Sequence, residues 1–131
     1  MTAPEGWRVT VVGIGADGWD GLSPAARRAV EGAEVLRGSA RQLGLVPSSV
    51  SAERLPWPSP LAPALRALPV EHPGRRVVVL ASGDPMLSGI GTSLVRLFGP
   101  AAVHVVPHPS SVTLACARMA WSVEELSLIH I

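Results

Sequence analysis

Apolar positions fall into short runs separated by glycine, proline and serine, and the runs alternate between a strand-like and a helical period. Trp7–Val12 (WRVTVV) is rich in β-branched residues and is closed by Gly13, the pattern of a buried strand. Ser23-Pro24 opens a helix through 25–30. Ser serves as N-cap, and Pro takes the first helical position, where its missing N–H costs nothing; Gly32 marks the end. A short strand over Glu34–Arg37 and a weak helix or turn near Ala40–Leu43 follow. From Leu45 to Pro60 no period survives, and the tract reads as a long irregular connection inside one domain. Its alternating Pro56, Pro58 and Pro60 favour an extended path. Leu61, Ala64, Leu65 and Leu68 then return to helical spacing, with Pro63 accommodated in the first turn.

Arg76–Ala81 (RVVVLA) is the strongest strand signal. Its unbroken apolar run fits a central strand buried on both faces of a parallel sheet. It leads through a glycine-rich loop to a helix over 92–98, then to a strand over 102–106, the segment Pro107–Ser111 and a last helix to about Ala120. Strands alternating with helices predict an α/β fold: a parallel sheet in an αβα sandwich, with right-handed crossovers.

Composition narrows the class. With 131 residues there is room for one domain with a core, and a hydrophobic share of 47% against 16% charged excludes a disordered chain. The thirteen Gly and thirteen Pro fall between apolar runs without a period, so they act as loop punctuation. A net charge of +1 with no basic block, and 4% aromatics, argue against nucleic acid as a partner. No apolar stretch is long enough to span a bilayer, and MTAPEGWR lacks a signal-peptide layout. The lone Cys116, with no internal disulfide partner, fits a reducing compartment, so a cytoplasmic location is expected. No metal is expected, because the four His lack ligand spacing; His104 reads as a strand residue and Cys116 as a small buried side chain.

Three loops, Gly13–Gly21, Ser82–Gly91 and Pro107–Ser111, leave the carboxyl ends of three strands, where open α/β sheets bind ligands. The first contains a literal GxGxxG, Gly13 to Gly18. A dinucleotide site needs the helix to begin within the glycines, whereas here it begins at Ser23-Pro24. The acidic residue expected after the second strand is also missing. Only Arg37 and Arg41 stand there, so an NADP phosphate is the remaining dinucleotide option. In the second loop, ASGDPMLSGIG, Asp84 either caps the following turn or accepts hydrogen bonds from a ribose or an ammonium group. Ser110 and Ser111 suit an N-cap of the last helix, a role compatible with touching the same ligand.

Taken together, GIGADGWDGLS, ASGDPMLSGIG and VPHPSSVTLACARMAW resemble, in order and spacing, the signatures of the tetrapyrrole (corrin/porphyrin) methylases. The P-x-P-S-S run followed by A-x-A-R-x-x-W most resembles the precorrin-6Y C5,15-methyltransferase subgroup, in its C5-methylating part. The resemblance covers about Arg8 to Glu125. It implies the amino-terminal domain of a two-domain fold without its carboxyl-terminal domain, and a methyl transfer from S-adenosylmethionine to C5 of a precorrin in cobalamin biosynthesis. Matching places first-loop contacts at Gly13, Gly15 and Ala16, where relatives often carry Pro at the last. Second-loop contacts fall on Ser82, Gly83, Asp84 and Leu87, and third-loop contacts on Ser110 and Ser111. His108 and Pro109 stand where relatives often have Gly and a small apolar residue. No catalytic residue is assigned: Asp17, Asp84 and His108 are candidates for a base, and Arg118 for a substrate carboxylate.

The resemblance further implies a homodimer at full length and a C15-methylating, decarboxylating partner domain or subunit. Leu126–Ile131 (LSLIHI) matches what a common sequencing adapter encodes, so the domain is expected to end near Glu125 and residues 1–131 to be inactive alone. Two other readings remain at this point, an NAD(P)-dependent Rossmann-type oxidoreductase domain and a non-catalytic α/β ligand-binding domain.

Overall fold

The computed structural model describes residues 6–81 and 90–106. Five strands, β1 (Val9–Gly13), β2 (Val35–Gly38), β3 (Glu53–Pro56), β4 (Val77–Ala81) and β5 (Val103–Val106), form one sheet in the order β3-β2-β4-β1-β5. Every neighbouring pair is parallel, with Val9 opposite both Val77 and Val103, and Val35 opposite both Glu53 and Val77. β4 is central and buried at all five positions, as its unbroken Val-Val-Val-Leu-Ala run predicts.

Side chains alternate across the sheet and build two cores. Val9, Val11, Val35, Val77, Val79 and Val103 face one way, under Leu65 of α3 (Leu61–Arg66), Leu68 of α4 (Leu68–Glu71), and Leu94 and Phe98 of α5 (Ile90–Phe98). Val12, Leu36, Val78 and Leu80 face the other way, under Ala26 and Val30 of α1 (Pro24–Glu31) and Leu43 of α2 (Ala40–Gly44). The fold is therefore the predicted αβα sandwich. α1 begins at Pro24 with Ser23 as N-cap, its Oγ accepting from the Ala26 N–H at 3.1 Å.

Two predicted features are corrected. The tract 45–60 is not wholly irregular, because Glu53–Pro56 pairs with β2 as an edge strand. Its polar, partly exposed residues carry no strand period, and Pro56 is tolerated because it ends an edge strand. The single helix expected through Leu68 is two short ones, with Ala67 capping the first and opening the second. Pro69 would lack an N–H and clash within a continuing helix; a fresh start at Leu68 puts it in a first turn.

Candidate functional site

The connections after β1 and β4 diverge. The chain leaves β1 for α1 on one face and reaches β2, while it leaves β4 for α5 on the other face and reaches β5. Because β1 and β4 are neighbours, their carboxyl ends form a topological switch point, the place where α/β sheets open a ligand crevice.

The first loop is built there with little free play. Gly13 is the last residue of β1, buried and opposite Ala81, so it belongs to the strand. Ile14 N–H then donates to the Ala81 carbonyl at 3.0 Å, tying the loop's root to the end of β4. Gly18 N–H returns to the Gly15 carbonyl at 3.0 Å, closing a turn in which Gly18 takes φ 61°, a conformation costly for other residues. A 3-10 turn over Gly18–Gly21 carries the chain on to Ser23. Arg27 of α1 braces that turn: its Nη2 donates to the Asp20 carbonyl at 2.9 Å, its Nε to the Trp19 carbonyl at 3.3 Å, and its guanidinium lies 5.9 Å from the Trp19 ring centre. Asp17 lies folded over Gly21, where any added Cβ would overlap its carboxylate, so Gly at 21 leaves room for this side chain.

Gly15 and Ala16 line a cavity of about 230 Å³ whose other wall is α2, through Ser39, Arg41, Gln42 and Leu45. α2 is fixed at both ends. A capping box joins Ser39 Oγ to the Gln42 N–H at 3.1 Å and the Ser39 N–H to Gln42 Oε1 at 2.9 Å. At the other end Arg54 of β3 donates to the carbonyls of Leu43 and Val46, both at 2.9 Å, and to that of Pro47. Gly38 lets β2 come close to β4: a Cβ there would sit 3.2 Å from that of Leu80.

Structure thus brings three of the sequence-derived contacts, Gly13, Gly15 and Ala16, to the crevice-forming end of the sheet. Ser82, Gly83, Asp84, Leu87, Ser110 and Ser111 lie outside the described residues, as do His108, Cys116 and Arg118. Ser39, Gln42 and Leu45 were missed in the sequence, although the S-x-x-Q capping pattern was a usable signal for a helix that starts at this edge. His104 is an exposed strand residue, as expected.

Arg37 within β2 and Arg41 in α2 are split between environments, the first buried and the second exposed. Arg37 is 5% exposed on the α3–α5 face, its guanidinium 4.5 Å from the Trp57 ring centre, and burial lowers its pKa while Glu71 opposes the shift. Arg37 therefore does not project toward a nucleotide phosphate, and α1 begins well past the glycines, so the dinucleotide reading is not favoured. Among the described residues no group of three or more His, Cys, Asp or Glu is placed to hold a metal, and no helix is long and apolar enough to cross a membrane.

Known proteins bear on this arrangement. The family model of the Tetrapyrrole (Corrin/Porphyrin) Methylases matches residues 8–131. The precorrin-6Y C(5,15)-methyltransferase [decarboxylating] of Mycobacterium tuberculosis is 50% identical over 123 residues, covering 94% of this chain and 31% of the relative. The cobalt-precorrin-7 C(5)-methyltransferase of Salmonella typhimurium is 35% identical, over 92% of this chain and 59% of that protein. The chain thus spans only part of the length of these relatives. Among solved structures, the precorrin-6Y methylase of Archaeoglobus fulgidus superposes with a TM-score of 0.64 at 29% identity, covering 90% of this chain and 60% of that one. The uroporphyrin-III C-methyltransferase of Thermus thermophilus, complexed with S-adenosyl homocysteine, gives 0.60 at 29% identity over 82% of this chain and 47% of that one. With the sandwich, its strand order and its switch point in place, the chain belongs to the tetrapyrrole (corrin/porphyrin) methylases.

Proposed function

We propose that this domain forms one wall of an S-adenosylmethionine site, and that the protein carrying it methylates C5 of a precorrin ring in cobalamin biosynthesis. The observation that carries the reading is the switch point at the ends of β1 and β4, with its pinned glycine loop, in a member of this family. The names of the relatives at 50% and 35% identity support the C5 position, and the Thermus relative bound to S-adenosyl homocysteine supports the cofactor.

The residues present fit that cofactor. Gly15 has no side chain and Ala16 only a methyl group, so the loop backbone is open to a ligand, and the first loop is set by its own hydrogen bonds. In this reading Gly13, Gly15 and Ala16 supply backbone contacts. Ser82, Gly83, Asp84 and Leu87 after β4, and Ser110 and Ser111 after β5, complete the wall by motif matching, with Asp84 accepting hydrogen bonds from the ribose or the ammonium group. When bound, S-adenosylmethionine supplies an electrophilic methyl group on sulfur. The protein's task is to hold the ring carbon in line with it and exclude water, so positioning provides most of the acceleration.

The domain takes up residues 1–125 in this reading and acts in the cytoplasm as part of a homodimer. A C15-methylating, decarboxylating unit works beside it, fused or separate. The test is to incubate the full-length protein with isotopically labelled S-adenosylmethionine and a precorrin-6Y or precorrin-7 type ring, and to locate the label by NMR. One labelled methyl at C5 is expected; transfer to another position, or none from a protein that binds the cofactor, contradicts the assignment.

A further inference from the structure

We infer that Arg41 binds substrate, its guanidinium receiving a carboxylate side arm of the ring. This rests on the reading above and adds to it a substrate contact at the edge of the wall that Gly15 and Ala16 form. Among the described residues that line the cavity between the first loop and α2, Arg41 is the one charged side chain. Gly15 and Ala16 bring no polar side-chain atoms, and Ser39 and Gln42 are closed on each other in the capping box. Among the described residues no Asp or Glu lines the cavity to neutralise the cation. Arg41 itself is exposed and makes no hydrogen bond or ion pair within the described residues.

The size of the cavity selects among ligands. At about 230 Å³ it lies below the roughly 300–1,000 Å³ typical of pockets that enclose a whole small molecule. It suits a side arm of a larger ligand lying across the carboxyl edge of the sheet. A guanidinium presents two parallel donors to a carboxylate, a geometry that a lysine cannot reproduce. Arg54 and the capping box fix α2 at both ends, so the charge is offered from a rigid element. Arg37, four residues earlier, cannot substitute, because strand alternation sends it to the opposite face onto Trp57.

The experiment compares full-length wild-type protein with Arg41→Ala and Arg41→Lys, by methyl-transfer kinetics and by calorimetry with S-adenosylhomocysteine. Arg41→Ala is expected to raise KM for the ring about ten- to a hundred-fold, the loss of one charge-assisted hydrogen-bonded pair. Its kcat and its affinity for S-adenosylhomocysteine should stay within about three-fold, since the lost contact is uniform binding of the ring. Arg41→Lys recovers part of the KM, since it keeps the charge without the fork. An unchanged KM in Arg41→Ala overturns the inference, and so does a matching loss of S-adenosylhomocysteine affinity, which would put Arg41 on the cofactor. A wild-type protein that binds no S-adenosylhomocysteine contradicts the function reading itself, and the inference falls with it.

Discussion

The face of the sheet under α1 and α2 and the face under α3, α4 and α5 bury similar strand residues, but among the described residues only the second takes polar side chains into its interior. On the first face Val12, Leu36, Val78 and Leu80 meet Ala26, Val30 and Leu43, and no buried polar side chain among the described residues interrupts them. On the second, Arg37 and His72 are 5% and 4% exposed. Arg37 Nε, Trp7 Nε1 and both His72 ring nitrogens lack a hydrogen-bond partner within the described residues. Buried polar atoms are normally paired, so this face carries a desolvation cost that the other does not. The contrast teaches that the all-apolar face is the platform for the first loop and α2, while the stability of the other depends on charge and pH.

Removing apolar volume should hurt both faces alike and is the largest effect. Leu80 and Leu94 are fully buried on opposite faces. Leu80→Ala and Leu94→Ala should each cost about 3 kcal/mol in urea denaturation. A large difference between them would break the picture of two equally packed cores.

Next comes the buried cation. Arg37→Ala removes the stack on Trp57 and the packing of its aliphatic stem, and should cost about 2 kcal/mol. Arg37→Met keeps the stem and removes the buried charge, so it should fall within about 1 kcal/mol of the parent or exceed its stability. If Met proves as costly as Ala, the guanidinium is essential to this face and the contrast with the other is wrong.

The smallest effect is the response to pH. Burial lowers the His72 pKa from its ordinary 6.5, and the neighbouring Arg37 cation lowers it further. The unfolded chain therefore binds the proton more readily than the folded one. Stability is fully present above pH 6.5 and falls as pH drops from there through the folded-state value. His72→Asn should remove this component, seen as a flatter denaturation midpoint between neutral and mildly acidic buffer. A parent protein whose midpoint rises on acidification across that window would contradict the sign.

Most of the fold was legible because β1 and β4 are made of β-branched residues and α1 carries its cap and its terminating glycine in sequence. β3 was hidden because an edge strand needs no apolar period: Glu53 and Arg54 spend their side chains on Arg75 and on the end of α2. At the site, Gly15 and Ala16 could be placed from the motif alone. The brace from Arg27 to Trp19 and Asp20 could not, because it spans the loop at a separation with no periodic signature. Arg37 and Arg41 were both visible as cations, but only the pleat of β2 and the start of α2 told which one faces the cavity.

The central claim is that this domain helps to hold S-adenosylmethionine, and titration calorimetry of the full-length protein with S-adenosylhomocysteine tests it most directly. A saturable heat at micromolar concentration is predicted, weakened by Asp84→Ala and unaffected by NADPH. A folded full-length protein that gives no heat with S-adenosylhomocysteine, or that binds NADPH in its place, would contradict it.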